Sequence, residues 1–568
     1  MKPEQLIMPD YLFETSWEVC NKVGGIHTVL ATKALYLGKE FKKNIIMIGP
    51  DVWMETGKNP EFIEDSVLFS SWRVQAANEG LRIRVGRWNV AGKPIAILVD
   101  FTTFIAKKND ILTELWKNFG VDSISGNWDY IESALFGYAA GKVIESFVKF
   151  NLFPYHKVVA QFHEWMTGTG LLYLKETGMP VATVFTTHAT VVGRCIAGKG
   201  LPLYDNLQKY NGDDCACEFG VAARHSLEKK AAENADIFTA VSDITAVECK
   251  HFLGRQVDIV TPNGFEDSFT PNETDYPGVV AEARKKMLQV ASMMSGKTYP
   301  EDSVIVGISG RYEWKNKGVD VFIDTMSRIN TGSYSGRKII AFIMVPSGIN
   351  GPDKSLAAKL STPSLYTTQV SHNLMDPEGD IVMSRLHQLN LLNRPDDKVD
   401  VFFIPTYLNG NDGIFNMTYY QLLPGMDLTL FPSYYEPWGY TPLESLAFKV
   451  PTLTTSLAGF GLWVRDHYTQ KDRRGIAIIP RTDSNYDAVV DGTVARVLEM
   501  AALKPEEESQ YRANAHEVSR VALWEKNIIY YKRAYCSALE KVIKEKGEFP
   551  EIRDDMSRKS MTRGEKRG

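Results

Sequence analysis

The chain has 568 residues, 44% hydrophobic and 23% charged, with a formal net charge of −5 and a pI near 6.1. This is an ordinary globular composition, long enough for two or three domains with sizeable cores. It excludes a general electrostatic attraction to nucleic acid or an anionic membrane surface, so a polyanionic ligand has to be held by cations gathered at one site.

The first residues, MKPEQLIMPDYLFE, lack a basic start followed by an apolar core, and no apolar run approaches about 18 residues. Export and membrane spanning are therefore unsupported, and a cytoplasmic protein is expected. Six thinly spread cysteines fit reduced thiols. The C-x-C at Cys215 and Cys217 has no partner pair at metal-site spacing, so no metal site is expected.

Next comes WEVCNKVGGIHTVL (17–30), which puts Lys22 and the adjacent Gly24 and Gly25 in front of a helix; the glycines permit close approach of a ligand, or serve a simple turn. Short β-branched runs then recur at 44–49, 95–101, 157–162, 181–188, 236–242 and 257–264, with helical lengths between them. A second series follows at 303–310, 338–348, 399–405, 427–433, 450–456 and 475–480. Runs that are continuous rather than alternating in polarity predict parallel strands covered on both faces, hence a doubly wound α/β pattern twice over. The stretch at 262–278, rich in Pro, Gly, Asn and acidic residues, marks the seam. The expected domains are 1–275 and 276–520, the latter with a helical insertion at about 349–397. A helix at 521–546 is expected to cross back to the first domain, and a charged, disordered tail to occupy 547–568.

In open parallel sheets ligands bind beyond the carboxyl ends of the strands. The residues there are His163 and Glu164, then His188 with Arg194, then Asn263 in PNG. In the second half, SGRYEWKNKG (309–318) places Arg311 and Lys317 between a strand and a helix, a pattern suited to a pyrophosphate. No nicotinamide-binding fingerprint is present, since GTGLLY (168–173) has Tyr where the third glycine belongs. The last strand-end, SYYEPWGYTPLESLAF (433–448), holds Glu436 beside aromatic residues. Its T-P-L-E run predicts a capping box from Thr441 to Glu444, with Gly439–Thr441 as an anion nest.

Together, FPSYYEPWGYTPLESLAF with its E-x7-E spacing, EVCNKVGGIHTVL, FHEW, FTTHATVVGR, VSDIT, PNG and GRYEWKNKG resemble the glycogen synthases of the animal and fungal type, retaining glycosyltransferases of the GT-B fold. The resemblance runs from about residue 10 to residue 465. It implies two Rossmann-like domains facing a cleft and transfer of glucose from UDP-glucose to the 4-hydroxyl at the non-reducing end of an α-1,4-glucan, with no cofactor and no required metal. It also implies a homo-oligomer, a tetramer, with the 349–397 insertion as the contact.

By the same resemblance Glu436, Arg311, Lys317 and His188 are catalytic. Lys22, Gly24, Gly25, Arg194, Tyr419, Trp438, Gly439, Tyr440, Thr441 and Glu444 hold the donor, Tyr419 stacking on uracil and Glu444 on the ribose; His163, Glu164 and Asn263 are weaker assignments. Glu444 facing the ribose leaves no hydrolase-like carboxylate pair, so the family route implied is attack on the face the leaving phosphate departs from, with that phosphate as base. One departure stands out: the arginine-rich helix by which family members bind glucose 6-phosphate is represented by QYRANAHEVSRVALWEKN (510–527), with only Arg512 and Arg520. Another acceptor, ADP-glucose as donor, or a non-catalytic glucan-binding role are the alternatives.

Overall fold

The computed structural model describes residues 6–41, 44–53, 58–359 and 367–546. The expected tail, with Ser557, Ser560 and Thr562, lies outside them. Packing divides the chain into two compact units: unit 1 is Met1–Gly193, Gln208–Gly264 and Trp524–Gly568, and unit 2 is Arg194–Leu207 and Phe265–Leu523. The division at Gly264 falls inside the 262–278 stretch, upstream of residue 275, and the helix Trp524–Lys546 belongs to unit 1.

Unit 1 is built on nine strands, β1 (Tyr11–Thr15), β2 (Ile45–Pro50), β3 (Phe62–Glu64), β4 (Arg82–Trp88), β5 (Ile95–Asp100), β6 (Val158–His163), β7 (Ala182–Thr187), β8 (Ile237–Ala240) and β9 (Ile259–Val260). Their order is β3-β4-β5-β2-β1-β6-β7-β8-β9. All neighbours are parallel except that β4 runs antiparallel to both β3 and β5. This corrects the expectation of a purely parallel sheet. The sequence RIRVGRW of β4 carries three arginines, none of them fully buried, as befits a strand near a sheet edge, and so reads unlike the buried runs. The central β1 is also absent from the predicted runs, because its five residues include a glutamate.

The period-two alternation of strands sorts the side chains. Phe13 of β1, Ile46 and Ile48 of β2, and Val158, Ala160 and Phe162 of β6 join one core with the helix Trp128–Asn151. The opposite face therefore carries Glu14, Gln161 and His163, with Glu14 paired in register to Gln161 and His163 to Thr186. The helices Gly25–Phe41 and Trp524–Lys546 cover this face. Glu14 is fully buried. Its carboxylate accepts from Lys33 Nζ at 2.9 Å, His163 Nε2 at 2.8 Å and Tyr535 Oη at 2.8 Å. Lys33 Nζ also lies 4.3 Å from the ring centre of Tyr531. A buried charge is tolerated only when paired and fully hydrogen-bonded, and these partners meet that demand. Burial opposes the charge on Glu14, but Lys33 and the His163 bond outweigh it and hold its carboxyl down at about 2.

Unit 2 contains β10 (Val304–Ser309), β11 (Ile339–Met344), β12 (Ile349–Pro352), β13 (His372–Leu374), β14 (Val399–Phe403), β15 (Leu428–Leu430), β16 (Thr452–Thr455) and β17 (Ile476–Ile479). Six of them form a parallel sheet in the order β14-β11-β10-β15-β16-β17. Both faces are apolar: Val304, Val306 and Ile308 of β10 meet Phe322, Ile323 and Val497 on one side, while Ile305, with Ile340 and Phe342 of β11, meets Met287 and Val290 on the other. That double burial is why these runs read as continuous rather than alternating. The 349–397 segment, expected to be helical, holds the antiparallel pair β12–β13 as well as the helices Lys354–Lys359 and Ile381–Gln388. Strands of three and four residues are too short to leave a periodic signature. No described helix is long and apolar enough to cross a membrane.

Two outcomes follow for stability. The folded pKa of Glu14 lies below its unfolded value, so its contribution is present above about pH 4.5 and is lost as pH falls toward 2. Chemical denaturation of the parent and of Glu14→Gln should show the parent losing about 3 kcal/mol more than the variant across that window; parallel losses would refute it. Trp524 is fully buried and donates from Nε1 to Thr32 Oγ1 at 2.8 Å, so Trp524→Ala should lower stability by about 3–5 kcal/mol, read as a fall in thermal midpoint.

Candidate active site

In unit 2 the candidate residues sit where β10 and β15 end. After β10 the chain turns through Ser309 to Lys317 into the helix Val319–Thr331; after β15 it passes Tyr434 and Tyr435 to Glu436. The two loops are tied by backbone bonds, the amides of Tyr434 and Tyr435 donating to Asn316 O at 3.0 and 3.2 Å. Gly318 closes the junction. Its φ is +75°, and a Cβ there would lie 2.3 Å from Pro432 O, so no side chain is accommodated. The result is an ion pair between Lys317 Nζ and Glu436 Oε2 at 2.5 Å, each side chain 14% exposed.

The other unit 2 candidates have partners of their own or none described. Arg311, 54% exposed, pairs with Glu313 at 2.8 Å. The Tyr419 hydroxyl accepts from Ser309 Oγ at 2.8 Å, which brings Tyr419 to the end of β10. Glu444 is buried and accepts from the Tyr420 hydroxyl at 2.8 Å. Burial and the Glu444 carboxylate both push the Tyr420 hydroxyl's pKa up, keeping it a donor. The expected capping box is not formed: the helix is Tyr440–Ala447, preceded by Gly439 at φ +107°, with no side-chain cap. Thr441 is thus inside the first turn, where its hydroxyl cannot act as N-cap, and Glu444 is turned to Tyr420. Trp438 is buried, and its Nε1 donor has no hydrogen-bond partner among the described residues. Arg194 opens the segment Arg194–Leu207 and is exposed.

In unit 1 the strand-end residues form a chain of contacts. His163 Nδ1 lies 2.9 Å from His188 Nε2, and both rings are buried. Burial holds His163 below its ordinary pKa, the attraction of Glu14 notwithstanding, so it is neutral near pH 7. Glu164, at the strained φ of +68°, accepts from the amides of His188 and Ala189 at 2.8 and 3.0 Å and so anchors the loop that carries His188. Asn263 accepts through its backbone oxygen from Asn527 Nδ2 at 3.1 Å, which ties it to the C-terminal helix.

Lys22 and Gly25 are exposed. The Gly24 and His27 amides at the start of the helix Gly25–Phe41 donate to Glu18 Oε2 at 2.7 and 2.9 Å. A carboxylate of the chain itself therefore occupies this helix start, a feature the KVGG pattern does not reveal. Sequence reasoning also missed Glu14, Lys33 and Tyr535. Lys33 carries a legible signal, since it stands among Val29, Leu30, Ala34 and Leu37 on the buried stripe of its helix.

Of the two arginines in the 510–527 segment, Arg512 is engaged inside unit 2, donating to Met426 O at 2.8 Å and Asp427 at 3.1 Å. Arg520 faces Asp267 at 3.6 Å. An open hollow of about 540 Å³ in unit 2, lined by Trp314, Asp320, Asp324, Arg385 and Tyr486 among others, contains none of the predicted site residues. Its Arg385 and Tyr486 are already bonded to Asp324. No group of three or more His, Cys, Asp or Glu suited to a metal occurs among the described residues.

Comparison with known proteins gives a consistent picture. The glycogen synthase family model matches residues 14–359 and 356–565. Glycogen [starch] synthase isoform 2 of Saccharomyces cerevisiae is 29% identical over 612 residues, covering 93% of this chain and 86% of that protein. The liver glycogen [starch] synthase of Rattus norvegicus is 30% identical over 540 residues, covering 84% and 76%. Among solved structures, the catalytic domain of starch synthase IV from Arabidopsis thaliana, bound to ADP and acarbose, superposes with a TM-score of 0.54 at 14% identity, covering 93% of this chain and 99% of that one. Sucrose-phosphate synthase from Thermosynechococcus elongatus gives 0.51 at 13%, covering 92% and 98%. These likenesses make the fold GT-B. With the family model spanning most of its length, the chain belongs to the glycogen synthase family.

Proposed function

We propose that the protein transfers glucose from UDP-glucose to the non-reducing-end 4-hydroxyl of an α-1,4-glucan, with retention and without a metal ion. The observation that carries this reading is the Lys317–Glu436 ion pair at the ends of β10 and β15, in a chain of the glycogen synthase family. A departing nucleoside diphosphate accumulates negative charge, and Lys317 and Arg311 supply the compensating cations. The ion pair means that Lys317 has a partner before any donor arrives. Donor binding exchanges that partner for phosphate, and Glu436 then meets the donor glucose. Tyr419 supports the base and Glu444 the ribose, while His188 contacts the donor sugar.

In the reacting step the bond from the anomeric carbon to the diphosphate oxygen breaks and the acceptor oxygen bonds to the same face. The acceptor's proton passes to the leaving phosphate. The resemblance carries a tetramer as well, for which light scattering of the purified chain is the direct test.

Three outcomes are expected. Glu436→Gln and Lys317→Met should each lower glucosyl incorporation from labelled UDP-glucose into glycogen by about 100-fold or more; a variant at wild-type rate removes that residue from the mechanism. Chelation of divalent cations should leave the rate unchanged, and metal-dependent turnover would contradict the charge compensation proposed. Because Arg512 is engaged within unit 2 and Arg520 faces the carboxylate of Asp267, glucose 6-phosphate should not stimulate the enzyme, and a several-fold activation would show that another anion site exists.

A further inference from the structure

One short segment of unit 2, Arg194–Leu207, lies in sequence between Gly193 and Gln208 of unit 1. It is held by the two loops that carry Lys317 and Glu436, in each case through the residue two positions earlier. Lys315 Nζ donates to Gly200 O at 3.0 Å. The Tyr434 hydroxyl accepts from the Leu203 amide at 2.8 Å and donates to the Asp483 carboxylate. The other oxygen of Asp483 accepts from the Asp205 amide at 2.6 Å. Lys315 Nζ also lies 4.1 Å from the centre of the Tyr434 ring, and the Arg481 guanidinium 5.5 Å from it, so the ring is held by the loop of Lys317 as well as by its own hydroxyl.

Tyr434 is 1% exposed. Burial, and then the bond to Asp483, raises the pKa of its hydroxyl, which therefore stays protonated and able to donate. The backbone around Tyr434 is tied as well. Arg481, itself buried, donates to Pro432 O, and the Tyr434 amide donates to Asn316 O at 3.0 Å. In such a frame, a shift of residues 200–205 moves Lys315 and Tyr434 together, and with them the ion pair two residues further on. We propose that residues 200–205 are a strap that sets the separation of Lys317 and Glu436, with Tyr434 as the positioning residue at its fastening point. The inference rests on the roles given to Lys317 and Glu436 under Proposed function and adds what holds the two at working distance. A misplacement of about 1 Å is enough to cost about 100-fold in rate, so a residue that touches neither sugar nor phosphate can govern turnover by this route.

The test is hydrogen–deuterium exchange of the 200–205 amides in the full chain, read beside kcat and the KM for UDP-glucose. Tyr434→Phe keeps the ring and removes one oxygen. Exchange at Leu203 should become about tenfold faster, and kcat should fall about 10- to 100-fold with less than about a threefold change in KM. Lys315→Met removes the donor to Gly200 and should act in the same direction, whereas Lys315→Arg, which can still donate there, should restore both exchange and kcat to within about twofold of the parent. This pair decides the matter should Tyr434→Phe fail to fold. Faster exchange with parent kcat makes the strap mere packing and overturns the proposal. Unchanged exchange in folded Tyr434→Phe overturns it too, since the hydroxyl is then not the fastening. Undiminished turnover in Glu436→Gln and Lys317→Met would instead overturn the roles of those two residues, while the exchange data still decide whether Tyr434 fastens the strap.

Discussion

The charge on Glu14 is the constraint around which unit 1 is arranged. A carboxylate with no solvent access is stable only if several donors converge on it. Those donors come from segments far apart in sequence: Lys33 from the helix Gly25–Phe41, His163 from the end of β6, and Tyr535 from the helix Trp524–Lys546. Satisfying one buried group therefore fixes the register of two neighbouring strands, the rotation of two helices and the attachment of the C-terminal segment. The cluster is costly to break, because removing one partner leaves the others buried and unpaired.

Unit 2 has a different logic. Apolar packing covers both faces of its sheet, and the candidate residues lie at the strand ends. There the close approach of the Lys317 loop to the Glu436 loop, possible only with Gly318 at the crossing, sets a cation against a carboxylate at 2.5 Å. A pair made within the chain keeps both charged groups satisfied and leaves them exchangeable. Under the proposed function, the exchange lets Lys317 meet a phosphate and Glu436 a sugar.

The parallel strands were the most legible part of the fold, because continuous β-branched runs such as those of β10 and β11 occur only where both faces are covered. β1 escaped because a glutamate inside YLFET reads as polar although its side chain is enclosed. β4 escaped because its three arginines interrupt the apolar pattern of a covered strand. The strand-end residues of the site were legible as positions, and their partners were not: nothing in the sequence pairs Lys317 with Glu436 or turns Glu444 from a cap toward Tyr420. Such partners are set by tertiary approach, which no local pattern encodes. Lys33, on an apolar helix stripe, is the one member of the buried cluster whose sequence position signals that it needs a counter-charge.

The account as a whole stands or falls on the reaction. The most direct measurement is release of nucleoside diphosphate by the purified chain from UDP-glucose and, in parallel, from ADP-glucose, each with and without glycogen. The account predicts release that requires UDP-glucose and glycogen together. Release from UDP-glucose that is indifferent to glycogen would contradict the glucan acceptor, and release from ADP-glucose alone would contradict the donor.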